Sequence, residues 1–489
     1  MKLPRIIHRI SHIAATGSLV IGMQVNPVLA EPVYHPSGPT LTFGGMTQRR
    51  QTVSDMGNPA QPAVSPFSTE GDTPARYGVG LGLGLGIEYD GNDNFFKLLD
   101  RLGGDDALAP GDGGDSGGGE EPGKPGPIIP PGSLDPEIEA AIAELAREAA
   151  IIAGVLLTAT TGLNAKAFVS ADIPLLISNK ALGGSWTFNA NNSVITNLRG
   201  LHEPIEFDAD AALAALKAKS TAPGTYDLTG GLSLTINPDG STTFKFENNS
   251  GVITRAAHIR EYSIGYSRRI WQKEDNRLYI GIKPKLFDVG LSNTVIPVAD
   301  INKAKDIFDS LDGSSFEYSQ EFSADLGLVW TGKQFQVGVT ATNLNEPEFH
   351  YPAADLSGFT NQFIINAIRD SERYTMERQL KLEGGFITQS GAWGINVGYD
   401  VNAVPDPMND DYQWLSIGAG YASDSWWLPG ARVGARKNLA GSQLTYITAG
   451  LTLFNIVNLD LATTTETIEV DGTTVPRGFI GNISAQIVF

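Results

Sequence analysis

Residues 77–89 read YGVGLGLGLGIEY, in which Tyr77, Val79, Leu81, Leu83, Leu85, Ile87 and Tyr89 alternate with Gly78, Gly80, Gly82, Gly84 and Gly86. A period of two sends alternate side chains to opposite faces of a strand. This stretch therefore carries apolar bulk on one face and nearly bare backbone on the other, with an aromatic residue at each end. The apolar face suits hydrocarbon bounded by two interfaces. The glycine face predicts the close approach of another segment, supplied by the chain's own leading stretch. A phosphate-binding glycine loop would need a strand-to-helix turn followed by Lys and Ser or Thr, whereas here EYDGNDNFF follows.

The same period returns from about residue 258 onward. Leu278, Ile280, Ile282, Pro284 and Leu286 alternate with Tyr279, Gly281, Lys283, Lys285 and Phe287, and comparable runs begin at Phe335, Trp393 and Tyr446. Soluble sandwich strands average about five to six residues; these runs reach the roughly 9–11 that cross a bilayer at a tilt. Trp330, Trp393, Trp426 and Trp427 stand near run ends, as interfacial girdles require. Connections alternate in length: 273–276, 331–333 and 390–391 are tight, while 292–314, 346–373 and 403–411 are long. Short turns at one end and long loops at the other are the pattern of outer-membrane barrels. The expected fold is an all-β transmembrane, antiparallel barrel of about fourteen strands with an N-terminal luminal plug and a helical, low-complexity insert.

The chain divides on composition. Lys2, Arg5 and Arg9 precede a short apolar run and Val28-Leu29-Ala30, so residues 1–30 read as a signal peptide. Residues 31–75, rich in Pro, Ser, Thr and Gly, are the expected plug, and 76–90 the first strand. Residues 91–160 form an insert in which two helical stretches flank GDGGDSGGGEEPGKPGPIIPPG, a composition that cannot bury a core. Residues 161–255 hold strands, a loop and a hairpin turning at Pro238-Asp239-Gly240, and 256–489 the main barrel. The chain contains no Cys, which excludes disulfides and thiolate chemistry, and its formal net charge of -19 argues against direct nucleic-acid binding.

Several short motifs carry a resemblance. Ser54 and Asp55 precede Asn58-Pro59-Ala60, which resembles the NPA motif of the FadL-type transporters of hydrophobic compounds; in that family the N-terminal segment folds back into the lumen as a hatch. LYIGIKPKLF (278–287), FSADLGLVW (322–330) and QVGVTATNLNEPEF (336–349) are similar to the branch named after the plasmid transfer operon protein TraF. The terminal FIGNISAQIVF, ending at Phe489, resembles the signal by which the barrel assembly machinery recognises its precursors. The resemblance implies a cell outer membrane location, lipid as surroundings and a hatch formed around Asp55, Asn58, Pro59 and Ala60.

No catalytic constellation is legible. His35, His202, His258 and His350 stand in no metal-ligand spacing and GxSxG is absent, so the chain reads as a non-enzyme without cofactor or metal. Lys283, Lys285, Arg432 and Arg436 are expected to face the lumen, where they would line an anion path or pair with hatch acids such as Asp55. The function expected is a plugged channel for small hydrophobic or amphipathic molecules. The alternative is a non-transporting structural or assembly component of the envelope, linked to conjugative plasmid transfer. The oligomeric state is not encoded in any of these patterns.

Overall fold

The computed structural model describes residues 38–45, 57–64, 76–90, 164–179 and 182–201, scattered positions between 203 and 250, and most of 251–488 apart from 298–315, 423–424 and 471–472. The signal peptide, Asp55, the 91–160 insert and Phe489 lie outside the described residues. Fourteen antiparallel strands close into a barrel. They are β1 (Arg76–Asp90), β2 (Asn164–Asn179), β3 (Gly184–Leu201), β4 (Gly251–Lys273), β5 (Asn276–Pro297), β6 (Glu317–Thr331) and β7 (Phe335–Thr342). The ring continues through β8 (Gln379–Ile387), β9 (Trp393–Asp400), β10 (Trp414–Tyr421), β11 (Gly430–Asn438), β12 (Thr445–Leu453), β13 (Val457–Thr464) and β14 (Gly478–Val488). β14 pairs with β1, placing Ile483 opposite Leu83, so the sheet has no open edge.

The alternation in sequence becomes an alternation in exposure. On β1, Leu81, Leu83 and Leu85 are 45–50 % exposed while the intervening glycines are buried. Ile280 and Ile282 on β5, Ile395 and Val397 on β9, and Ile447 and Leu451 on β12 likewise point outward. Such an apolar outer belt is stable only in hydrocarbon. At the short-turn end, Trp186 meets Tyr266 (centroids 4.8 Å apart), Trp330 meets Phe335 (5.2 Å) and Trp393 meets Tyr421 (5.1 Å), forming an aromatic girdle across neighbouring strands. Among the described residues no helix is long and apolar enough to cross a membrane.

The wall is uneven in height. β1 to β6 run from 15 to 23 residues, whereas β7 to β14 run from 8 to 11. The loop between β7 and β8 contains α1 (Gln362–Asp370), N-capped by the Asn361 side chain, and it packs Ile364 and Ile368 against Ile253 and Val295 on the tall wall's inner face. Phe168, Phe287, Leu291, Phe349, Tyr374 and Met408 belong to one apolar cluster at the long-loop end.

Three expectations are refined. First, at Gly82, Gly84 and Gly86 the bare wall of β1 is entered by side chains of the neighbouring strand, while residues 38–40 of the leading stretch also come up to β1. The β1–β2 register sets Asp172, Ser170 and Phe168 opposite Gly82, Gly84 and Gly86, and these side chains lean into the space that the glycines leave. Second, β5 continues to Pro297 instead of turning out at residue 292. Third, α1 falls inside a stretch read only as loop. The hairpin about residues 238–240 exists, but it belongs to a three-stranded sheet (Gly224–Thr229, Leu232–Ile236, Thr242–Phe246) outside the barrel ladder.

Candidate functional site

Two pieces of the leading stretch sit inside the ring. Residues 57–64 bring Asn58-Pro59-Ala60 against β5 to β7. The Asn58 side chain accepts from the Ala60 amide (2.9 Å), closing its own turn, and its Nδ2 donates to the carbonyls of Val339 (3.2 Å) and Leu328 (3.4 Å). Asn is suited to this because one amide group offers both an acceptor and donors. The approach is close: a Cβ on Gly281 would overlap the Pro59 carbonyl, and one on Gly327 would overlap the Asn58 Oδ1. Ala60 and Val64 pack with Tyr279 and Val329.

Residues 38–45 occupy the β10–β13 side. The Thr42 hydroxyl donates to Asp460 (2.5 Å) and accepts from Arg432 Nε (3.2 Å). The Gly45 amide donates to Glu383 (3.0 Å). Here too glycines make the room, since a Cβ on Gly434 would overlap the Thr42 carbonyl. Gly44 has φ +90°, a left-handed conformation that an L side chain rarely adopts, and it lies against the Asn396 amide.

All four luminal cations expected from the sequence face inward; the partners described are mainly wall residues, and Thr42 of the leading stretch accepts from Arg432 as well. Lys285 and Lys283 both pair with Asp325 (2.7 and 3.2 Å), and Lys285 also donates to Asn343 (2.7 Å). Arg432 pairs with the fully buried Asp460 (3.1 Å). Arg436 lies 4.0 Å over the Trp414 ring, and its Nε has no hydrogen-bond partner. Two strands in register explain these pairs, because Lys285 and Lys283 stand opposite Ser323 and Asp325 on the neighbouring β6.

Between the leading stretch and the long-loop cluster lies a chamber of about 180 Å³. Its floor is made by Thr40, Gly44, Gly45 and Gly57, and its sides carry Lys and Arg as well as Asp and Glu. Apolar side chains are few: Trp414 is buried there, whereas Leu382 and Tyr399 turn their side chains to the outer face of the barrel.

Beyond the chamber, loop and wall are pinned by a buried polar cluster that sequence reading missed. Lys166 of β2 pairs with Asp406 (2.5 Å) and Asp410 (2.7 Å) of the β9–β10 loop. Glu88 of β1 accepts from Tyr412 (2.9 Å) and Tyr446 (2.6 Å), and the Tyr351 hydroxyl donates to the Pro407 carbonyl. Nothing in the local sequence DPMNDD (406–411) signals this, because its cationic partner is 240 residues away.

Burial pushes the Asp406 carboxyl up to about 6, while Lys166 pulls it down. The folded loop thus holds this proton more tightly than an opened loop, whose Asp titrates near 3.8. Its contribution is full below pH of about 4 and is lost as pH rises through about 6. Hydrogen exchange of the 404–412 ribbon, corrected for intrinsic rates, should show opening becoming easier over that range. Asp406→Asn should remove the slope; an unchanged slope would refute the assignment.

The comparisons with known proteins follow this geometry. Residues 55–400 match the family described as "F plasmid transfer operon, TraF, protein". The chain belongs to this family. No curated protein matches the chain in sequence. Among solved structures, the Pseudomonas putida toluene transporter TodX is 10 % identical with a TM-score of 0.36, over 95 % of this chain and 99 % of that one. A TodX deltaS2S3 mutant monoaromatic hydrocarbon channel gives 10 % and 0.40, over 92 % and 97 %. A Pseudomonas aeruginosa FadL homologue gives 12 % and 0.33, over 94 % and 99 %. At this identity and overlap the likeness says nothing of what this TraF-family chain carries.

Proposed function

We propose that this TraF-family barrel is an outer-membrane channel for small molecules of amphipathic or hydrophobic character, closed in the conformation described. The observation that supports it is the chamber: the lumen holds free space between two separable closures, where a purely structural barrel would be packed solid. In this reading residues 31–75 act as a hatch, with Asp55, Asn58, Pro59 and Ala60 at its core. Lys283, Lys285, Arg432 and Arg436 line the route. Residues 1–30 export the chain, and Phe489 addresses it to the barrel assembly machinery. The polar lining weighs the choice toward amphipathic molecules over hydrocarbons.

A second reading, a non-transporting assembly component tied to conjugative transfer, is favoured by the buried Lys166–Asp406–Asp410 cluster, which holds the long-loop end shut. Planar-bilayer recordings separate the two. The full chain should be nearly silent, and deletion of 31–75 should give ion conductance. Silence in both would favour the assembly role.

A further inference from the structure

Most charges around the chamber are already satisfied by protein. Asp325 holds both lysines of β5, Glu383 holds the Gly45 amide, and Asp400 accepts from Gln379 and from the Trp414 amide. Two groups on facing walls are not. On β3 and β4, Asn191 stands opposite Glu261 in register, with Asn189 next along the same inner face. Asn189 Oδ1, Asn191 Oδ1 and Glu261 Oε1 are buried without a hydrogen-bond partner. All three residues are at least nine-tenths buried and line the chamber. Three idle acceptors, one of them anionic, call for a cationic donor.

Seven strands farther round the fourteen-strand ring, β11 faces β4 across the lumen. There Arg436, 5 % exposed, presents an unpartnered Nε to the same chamber, its guanidinium held flat by Trp414. Lys381 of β8 lines the chamber as well. This wall offers cationic donors, with the carboxylates of Asp400 and Glu383 beside them already accepting from protein groups. The volume is small beside the roughly 300–1,000 Å³ of pockets for drug-sized ligands.

We propose that the chamber is a binding site for a small zwitterion whose two charges lie at opposite ends of a short chain, its ammonium on Glu261, Asn189 and Asn191 and its carboxylate on Arg436 and Lys381. Binding at this site is independent of the proposed channel function; only the claim that such solutes pass through rests on that reading. A lone anion would leave Glu261 Oε1 without a donor, and a lone cation would leave Arg436 Nε without an acceptor. Each single-charge compound therefore forfeits one charge-assisted contact, about tenfold or more in affinity.

Isothermal titration of the full chain in detergent with 6-aminohexanoate, hexanoate and hexan-1-amine tests this. The zwitterion should bind saturably at one site, each analogue about tenfold more weakly. Glu261→Gln should bring 6-aminohexanoate down to the level of hexanoate, and Arg436→Met should bring it down to that of hexan-1-amine. Equal binding of all three, or hexanoate binding best, would overturn the proposal. No heat from any of them on the unaltered protein would mean that the chamber holds water only, and would overturn it as well. Saturable binding by a barrel that never conducts would uphold the site and fail the channel.

Discussion

Gly281→Val will drive the NPA turn from the lumen. The valine Cβ has no place to go, because the atoms it meets are the carbonyl and backbone of Pro59 and Ala60, not the tip of a pliable side chain. Overpacking a fitted contact costs about 1–3 kcal/mol. The turn is held to the wall by the two donations from Asn58, the Gln336–Gln61 hydrogen bond and the packing of Ala60 and Val64 on Tyr279 and Val329, fewer ties than the ladders of the barrel, and is therefore the part that yields. The barrel, closed by fourteen ladders, does not. The expected results are protease cleavage within 57–64 and bilayer conductance approaching that of the 31–75 deletion. Gly384→Val on β8 is the control: a Cβ there meets nothing within 4 Å, so this variant should stay silent. A silent, protease-resistant Gly281→Val would show that the turn is not a removable closure.

Arg432→Met will lower the unfolding free energy by about 3–5 kcal/mol, the loss typical when one partner of a buried ion pair is removed. Asp460 has no solvent exposure, and only Thr42 would remain to answer its charge. Urea unfolding in lipid vesicles measures the change. The double variant Arg432→Met with Asp460→Leu should recover most of it, because two apolar groups of similar size remove the stranded carboxylate along with its partner. A single variant within about 1 kcal/mol of the parent would place Asp460 in water and refute the burial argument.

The barrel was legible because one periodicity carries the information: whatever faces lipid must be apolar at every second position, as on β1, β5, β9 and β12. β3 could be expected only as one further strand somewhere within 161–255, because Asn189, Asn191 and Asn192 put polar groups on both of its faces and blur the alternation. α1 could have been found from Asn361 followed by Ile364, Ile365 and Ile368, an N-cap ahead of a helical apolar stripe. The inward direction of Lys283, Lys285, Arg432 and Arg436 also followed from parity. Their partners did not, since a pairing such as Arg432 with Asp460 depends on closure and register, which no local pattern encodes. The glycines of β1 illustrate the same limit. Parity turned them inward, but only the β1–β2 register shows that Asp172, Ser170 and Phe168 fill the gap.

The uneven wall has a consequence for approach. At about 3.3 Å per residue, the 23 residues of β4 reach far past the roughly 30 Å of hydrocarbon, even when steeply tilted. Strands of eight or nine residues on the far side end close to the bilayer surface. The rim is thus a sheltered half-collar. In the channel reading, a solute drifting along the headgroups would meet a parapet from one side and a doorstep from the other, and its approach to the mouth would be directional before any selective contact is made.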